Sequence, residues 1–305
     1  MRIRQPGNIR DHLWYLGCEE SGVYLVESLD ESMIISGGIS YILPHVLQQI
    51  KAFGINEDRI RKFLILHAHF DHVGILPFLK RRHPELQIYG SSRAWEILSM
   101  PKAINTINAF SGMVTERMGR VEECSGLDLE WRKDVDGASV SEGDRIELGD
   151  IEVLIFETPG HSSCSISAYV PQMKALFPSD GGGIPYRNTI VTPGNSNFTL
   201  FQESLEKLKD LDVEYLCADH YGYIVGEEAG DFIQQTIRMA KQNRSLMEEA
   251  YLKTGDVETA AHELVTSFYE LYPDYVLSKE IFQGIYGQMV RHIAKNLKPQ
   301  KSYVR

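Results

Sequence analysis

Six consecutive residues, His67-Ala68-His69-Phe70-Asp71-His72, carry four side chains able to bind divalent cations. Neutral imidazole and carboxylate are ligands for zinc, iron and manganese alike. A histidine on an apolar face is ordinarily a satisfied core residue. With 10 His and 16 Asp in 305 residues, however, chance yields an H-x-H-x-D-H string in only about 6 of 10,000 such chains. Four donors within six residues exceed what one tetrahedral ion takes from a single loop, so the spacing points to two ions. Three more candidates stand where an apolar run gives way to a Gly-containing loop. They are His161 in Thr158-Pro159-Gly160-His161-Ser162, Asp180 in Phe177-Pro178-Ser179-Asp180-Gly181, and His220 in Ala218-Asp219-His220-Tyr221-Gly222. Such loops are where functional side chains collect. Two cations a few ångströms apart acidify a shared water to give hydroxide near neutral pH, which can attack an ester-like carbonyl. Asp71 is the candidate to orient that hydroxide and take its proton, the catalytic role proper.

Residues 63–66 form a continuous apolar run directly before the motif, as expected of a buried central strand. Residues 23–29 and 33–36 are expected to pair about a turn at Asp30-Glu31. Residues 41–53 and 75–82 have helical spacing, with Pro44 and Pro77 early in each. A strand at 86–89 and mostly helix over 92–123 follow, then an irregular passage to 141. Strands are expected again at 145–148, 151–157, 165–170, 175–178 and 214–218, with a helix at 198–211. Past Gly226 the strand signals stop. Ile233, Ile237, Ala240, Met247 and Tyr251 share one helical face, residues 256–272 continue the period, and Phe282, Tyr286, Met289 and Ile293 mark a last helix. The chain thus divides into residues 1–226, sheets covered by helices, and a helical extension over 227–305.

Composition narrows the partners. Lys plus Arg number 31 against 42 Asp plus Glu, a net charge of -11, and no basic run occurs, which argues against nucleic acid. At 43% hydrophobic and 10% aromatic, the chain is not a disordered one. No stretch approaches the roughly 20 apolar residues of a membrane span, and the first residues lack the apolar core of a signal peptide. Four cysteines without C-x-x-C spacing do not make a disulfide framework. A cytoplasmic protein acting on a small molecule is expected, and a homodimer is compatible with the sequence. Cys164, three residues past His161, reads as a buried thiol, and Asp219 as either a support for the ligands or an exposed residue.

Together the ligand motifs resemble those of the metallo-β-lactamase-fold hydrolases, over roughly residues 23–226. The resemblance implies an α/β fold, an αβ/βα sandwich with metals at one edge of two sheets. It implies one ion held by His67, His69 and His161, a second by Asp71, His72 and His220, and Asp180 bridging them. Two divalent ions are the cofactors implied, zinc or iron, with manganese compatible. Ser36-Gly37-Gly38-Ile39-Ser40, the H-x-H-x-D-H-x-G-x-L-P run and the helical tail are similar to the quinolone-signal thioesterase branch of the family (the PqsE-like proteins), in which C-terminal helices cover the metal site. Many family members carry Asp where this chain has Ser36, a position behind the ligands. The resemblance implies a thioester substrate, with an acyl-CoA leading, although no CoA-binding motif accompanies it. Tyr272, Tyr275, Phe282 and Tyr286 are candidates to line a narrow apolar pocket, weighed against ordinary core packing. Two alternatives stand beside the hydrolase, a mononuclear-iron sulfur dioxygenase and a regulatory interaction protein with incidental esterase activity. The acidic charge disfavours a nuclease. A diiron oxidoreductase would need an acidic residue at His69 and a flavin domain.

Overall fold

Two sheets are built from opposite halves of the chain, as a computed structural model that describes residues 1–297 shows. The last residues of the expected extension, 298–305, lie outside the described residues. The chain begins with β1 (Arg2–Ile3), which joins the second sheet. The first sheet runs in sequence order through β2 (Gly7–Arg10), β3 (Leu13–Cys18), β4 (Ser21–Glu27), β5 (Ser32–Ile35), β6 (Ile60–Leu64), β7 (Gln87–Ser91) and β8 (Ala138–Val140). Its strands from β5 to β8 are parallel. The crossovers carry α1 (Leu43–Ala52), α2 (Leu76–Arg82), α3 (Ser92–Ser99) and α4 (Pro101–Arg117). The second sheet adds β9 (Arg145–Leu148), β10 (Ile151–Glu157), β11 (Ile166–Val170) and β12 (Ala175–Phe177). A hairpin of β13 (Ile184–Tyr186) and β14 (Thr189–Val191), then α5 (Phe198–Leu208), lead to its last strands, β15 (Tyr215–Cys217) and β16 (Tyr223–Val225).

The layers follow from side-chain alternation. In β10, Ile151, Val153 and Ile155 are buried while Glu152, Leu154 and Phe156 are half-buried, the period of two that turns one face inward. That face meets Tyr24, Met33 and Leu64 of the first sheet in one apolar layer. The helices between β5 and β8 cover the outer face of the first sheet, and α5 with the C-terminal helices covers the second. This is the αβ/βα sandwich, an α/β fold with added C-terminal helices.

Several boundaries differ from the sequence expectation. Strands β1, β2 and β3 occupy residues before 23, where none is expected. Arg2, Arg4, Arg10 and Asp11 interrupt the apolar pattern there, and β3 gains its register from β4, Leu13 facing Val26 through Cys18 facing Ser21. The expected long helix over 92–123 is two helices, because Pro101 holds Met100 in extended backbone. Strand β8 lies inside the passage expected to be irregular.

The extension is α6 (Glu227–Thr254), α7 (Val257–Leu271) and α8 (Lys279–Asn296). Gly255 ends α6 in the left-handed region, and Asp256 caps α7 by accepting from the Thr259 amide at 2.8 Å. Phe232 and Ile233 of α6 and Met289 of α8 share one core with Phe198, Phe201 and Leu216. Gly226 therefore falls within continuous packing, each buried side chain contributing about 1.5–3 kcal/mol. Among the described residues no helix is long and apolar enough to cross a membrane.

Candidate metal centre

All the candidate ligands sit on loops at one edge of the sandwich. His67, His69, Asp71 and His72 follow β6. The Leu66 carbonyl accepts from the Ile166 amide at 2.9 Å, tying the two sheets together just before the motif. The loop closes with the His72 amide donating to the His69 carbonyl at 3.0 Å and the Gly37 amide to the His72 carbonyl at 2.8 Å. Gly74 lets this turn lie against the backbone of Ser40, whose nitrogen would be 2.2 Å from any added Cβ. His161 follows β10 through Gly160, at φ +136°, where a Cβ would stand 2.2 Å from the Phe201 nitrogen. Asp180 sits in the tight turn Ser179–Gly182 after β12. His220 follows β15, and the buried Tyr24 hydroxyl holds that loop by donating to the Ala218 carbonyl at 2.6 Å.

The structure brings all seven candidate ligands together. His67 Nε2 and His161 Nε2 lie 3.1 and 3.0 Å from His69 Nδ1. Asp71 Oδ2 is 3.7 Å from both His72 Nε2 and His220 Nε2. Asp180 faces both sets: its Oδ2 is 3.4 Å from His72 Nε2 and from His161 Nε2, and its Oδ1 is 3.6 Å from His220 Nε2.

The outer nitrogens decide what the inner ones offer. His161 Nδ1 donates to the Pro193 carbonyl at 2.8 Å and His220 Nδ1 to the Glu20 carbonyl at 2.7 Å. A carbonyl only accepts, so each Nδ1 carries the proton and each neutral ring aims its Nε2 lone pair inward. His72 Nδ1 donates to Asp219 Oδ2 at 2.8 Å. Ser179 Oγ donates to the same oxygen at 2.6 Å, which leaves it to accept from His67 Nδ1 at 3.0 Å. Four rings are thus fixed in orientation by partners at Nδ1, the arrangement that readies imidazole for a metal.

Burial, then the neighbouring imidazoles, push His67 well below the ordinary histidine range and His69 down to about 4. Burial likewise lowers His161. Each is therefore in its coordinating, neutral form. His72 differs. Burial alone would lower it, but the carboxylates of Asp71 and Asp180 outweigh that and hold it well above the ordinary range. The same pairing, with His220 and His161, keeps Asp180 ionised against the opposing effect of burial.

Do these residues fit metal ions? His72 Nε2 is buried, has no hydrogen-bond partner among the described residues, and faces the carboxylates of Asp71 and Asp180. Zinc–nitrogen bonds of about 2.0–2.1 Å put tetrahedral ligands about 3.3–3.4 Å apart, close to the spacing around His69. Converging lone pairs repel unless a cation lies between them. The residues fit divalent ions. Asp219, 3% exposed, has its Oδ2 committed to His72 and Ser179 and so supports the ligands from behind.

Ser179 and the carbonyls of Glu20 and Pro193 are the functional groups that sequence reasoning missed; of these only Ser179 carried a signal, its adjacency to Asp180. Asp219, read from sequence as either a support for the ligands or an exposed residue, is buried and is the former. Cys164 is buried, its Sγ accepting from the Ala68 amide at 3.4 Å between His67 and His69, and burial raises its thiol. Tyr275, Phe282 and Tyr286 line a cavity over the centre, together with His69, Asp71 and Asp180. Tyr272 does not. Its ring packs on Tyr186 and Phe268, with its hydroxyl 3.3 Å from Asn188.

The same architecture recurs in known proteins. A metallo-beta-lactamase fold-containing protein of Sulfurisphaera tokodaii is 23% identical over 183 residues, 59% of this chain and 67% of that protein. The hydroxyacylglutathione hydrolase of Hahella chejuensis is 24% identical over 220 residues, 69% of this chain and 62% of that enzyme. Its namesake from Legionella pneumophila (strain Paris) is matched over 35% of its length, so this chain spans about two thirds or less of these relatives. Among solved structures, a metallo-beta-lactamase family protein from Thermus thermophilus superposes with a TM-score of 0.66 over 95% of both chains. At 14% identity that likeness is one of fold. The sequence model of the Metallo-beta-lactamase superfamily matches residues 16–220. A match that runs from within β3 to the last candidate ligand, His220, makes this chain a member of the metallo-beta-lactamase superfamily.

Proposed function

We propose that the chain is a hydrolase of thioesters or related esters that uses two divalent metal ions. The observation that carries this is the set of fixed rings: His67, His72, His161 and His220 are each held at Nδ1 from behind and turn Nε2 toward one point. His67, His69 and His161 would hold one ion, Asp71, His72 and His220 the other, with Asp180 shared. When bound, such ions supply Lewis acidity and a water acidic enough to deprotonate near neutral pH. The chain's own residues do the remaining work. Asp71 lines the cavity, and its carboxylate accepts the proton released from the attacking water. Asp180 keeps the two ligand sets in register, and the hydrogen bonds behind the histidines keep each ring from turning.

The name of two relatives, hydroxyacylglutathione hydrolase, supports a thioester over other acyl compounds. The acyl-CoA expectation and the PqsE-like assignment belong to this proposal, the latter resting on the sequence around residues 36–40 and on the helical tail. The second ligand set favours a dinuclear hydrolase over the mononuclear-iron dioxygenase, and metal counting with an oxygen-uptake assay separates them. A regulatory role is separated by an Asp71→Ala variant: restoration of a null phenotype without turnover would favour interaction over catalysis.

The direct test reconstitutes chelated protein with zinc, iron or manganese and follows thiol release from acyl thioesters. Two equivalents of metal, with activity lost on chelation and regained on reconstitution, are expected. Equal turnover by the chelated protein would refute the proposal.

A further inference from the structure

Over the ligands lies a cavity of about 620 Å³, within the size range of small-molecule sites. Its floor is His69, Asp71, Asp180 and His220. One wall is α4, through Ile107 and Phe110. The opposite wall is a stripe of α8 in which Ile281, Phe282, Ile285, Tyr286 and Met289 recur at helical spacing. Phe70, beside the ligand Asp71, stacks on Phe110 with ring centroids 5.4 Å apart, joining the motif loop to the α4 wall.

The rim is apolar as well. Met100, Phe110, Val276 and Ile281 all line the cavity, yet they are 44, 39, 47 and 40% exposed. Exposed apolar side chains scattered singly need no explanation, but four around one opening over a reactive centre form a contact surface. Charge is distributed the other way. Of the lining residues outside the candidate ligand sets, Lys102 alone carries a charged side chain. The chain as a whole has a net charge of -11. A polyanionic carrier such as a nucleotide or a tripeptide thiol finds one lysine in this lining and no basic cluster to hold it.

We propose, on the reading that this centre hydrolyses thioesters or esters, that it recognises the acyl half of its substrate and is indifferent to the carrier. The substrate class is a thioester or ester of an uncharged, apolar acyl or aroyl group, held between α4 and α8. A carrier on the leaving group extends past the rim into solvent.

The test uses the full-length, metal-reconstituted protein and two thioester series, acetyl to decanoyl, on coenzyme A and on the small neutral thiol N-acetylcysteamine. Each methylene buried should raise kcat/KM by roughly threefold to fourfold until the cavity is full. Decanoyl should therefore exceed acetyl by tenfold or more on either carrier, and the two carriers should differ by less than tenfold at any one chain length. A decanoyl advantage below tenfold, or a carrier preference of tenfold or more, overturns the proposal. Phe110→Ser and Ile281→Ser, at exposed positions that the fold tolerates, should each lower the decanoyl-to-acetyl ratio at least threefold; an unchanged ratio in both counts against it. Calorimetric titration of chelated protein with 2-decanone, neutral and not hydrolysable, separates the two readings. Binding weakened by Phe110→Ser, with no thioester cleaved by reconstituted protein, keeps the apolar site and removes the hydrolase. Cleavage without chain-length dependence keeps the hydrolase and removes the apolar site.

Discussion

Asp219 gives the sharpest test of how the centre is held. Its Oδ2 accepts from His72 Nδ1 at 2.8 Å and from Ser179 Oγ at 2.6 Å, and through Ser179 it reaches His67 Nδ1 at 3.0 Å. One carboxylate thus orients one ligand from each set. Asp219→Ala would leave two buried donors without an acceptor, each loss being worth about 1–3 kcal/mol. Part of that loss falls equally on the metal-free protein. The remainder, seen as weaker metal binding, should be about 10–100-fold at the His72 site. Asp219→Asn keeps an acceptor in place but loses the charge, and its amide nitrogen would lie where Oδ1 now has no partner. Its loss should be about tenfold or less. Ser179→Ala cuts only the branch to His67, so its loss should fall mainly on the His67 site. Competition against a chromophoric zinc chelator resolves the two affinities, and melting in EDTA shows whether the metal-free variants remain folded. Unchanged affinity at both sites in a folded Asp219→Ala protein would refute the idea that these bonds orient the ligands.

Four further outcomes are expected. Asp180→Asn should lower occupancy at both sites, since its oxygens face His72, His161 and His220; two full equivalents by elemental analysis with unchanged turnover would refute that. Gly160→Ala should cost about 1–3 kcal/mol in urea unfolding and lower metal content, because the Phe201 backbone must move; wild-type values in both would be the contrary result. Glu57 accepts from Arg82 Nε at 2.5 Å and from His83 Nε2 at 2.9 Å. Partial burial works to raise its carboxyl, but these bonds prevail and hold it below the ordinary 4.5. Its contribution is therefore complete above pH 4.5 and fades as acid passes the lowered folded value. Glu57→Gln should cost up to about 1 kcal/mol at neutral pH and nothing once both forms are protonated; a pH-independent difference in unfolding free energy would contradict this. Ser36→Gly should stabilise, because Ser36 holds φ 65° and its buried Oγ has no hydrogen-bond partner among the described residues. Removing the strain and the unpaired hydroxyl outweighs the roughly 0.5–1 kcal/mol of added chain entropy; a destabilised variant would show that the hydroxyl is used.

The candidate ligands were legible because their chemistry is local. A run of four donors follows an apolar strand, and its meaning survives ignorance of everything else in the chain. Strand β6 was legible only in its second half: parallel neighbours on both edges and packing on both faces bury Phe63 and Leu64, whereas Arg61 and Lys62 fall outside the apolar run and Ile65 and Leu66 lie past the strand's end. The N-terminal strands were not, since β1 is two residues long and exists through Arg2 pairing with Ile224 and Ile3 with Tyr223. Tyr272 and Tyr275 show the limit at the level of single side chains. Both lie in the turn region between α7 and α8, and either could have faced the cavity. Tyr275 is buried there, while Tyr272 turns outward to Asn188. Hydrophobic periodicity cannot separate them, because the difference arises in a loop that has no period.

Ser179 and Asp219 mark a different boundary. Ser179 is an ordinary polar residue in sequence, and Asp219 is readable there only as either a support or an exposed residue; both join the centre because the parallel strands β12 and β15 end side by side, Leu176 against Leu216. That register sets Ser179 within 2.6 Å of Asp219 and joins the two ligand sets behind the histidines. A ligand can be read from its own chemistry. The residue that orients a ligand is defined by the register of strands distant in sequence, so it becomes visible only when the sheet is built.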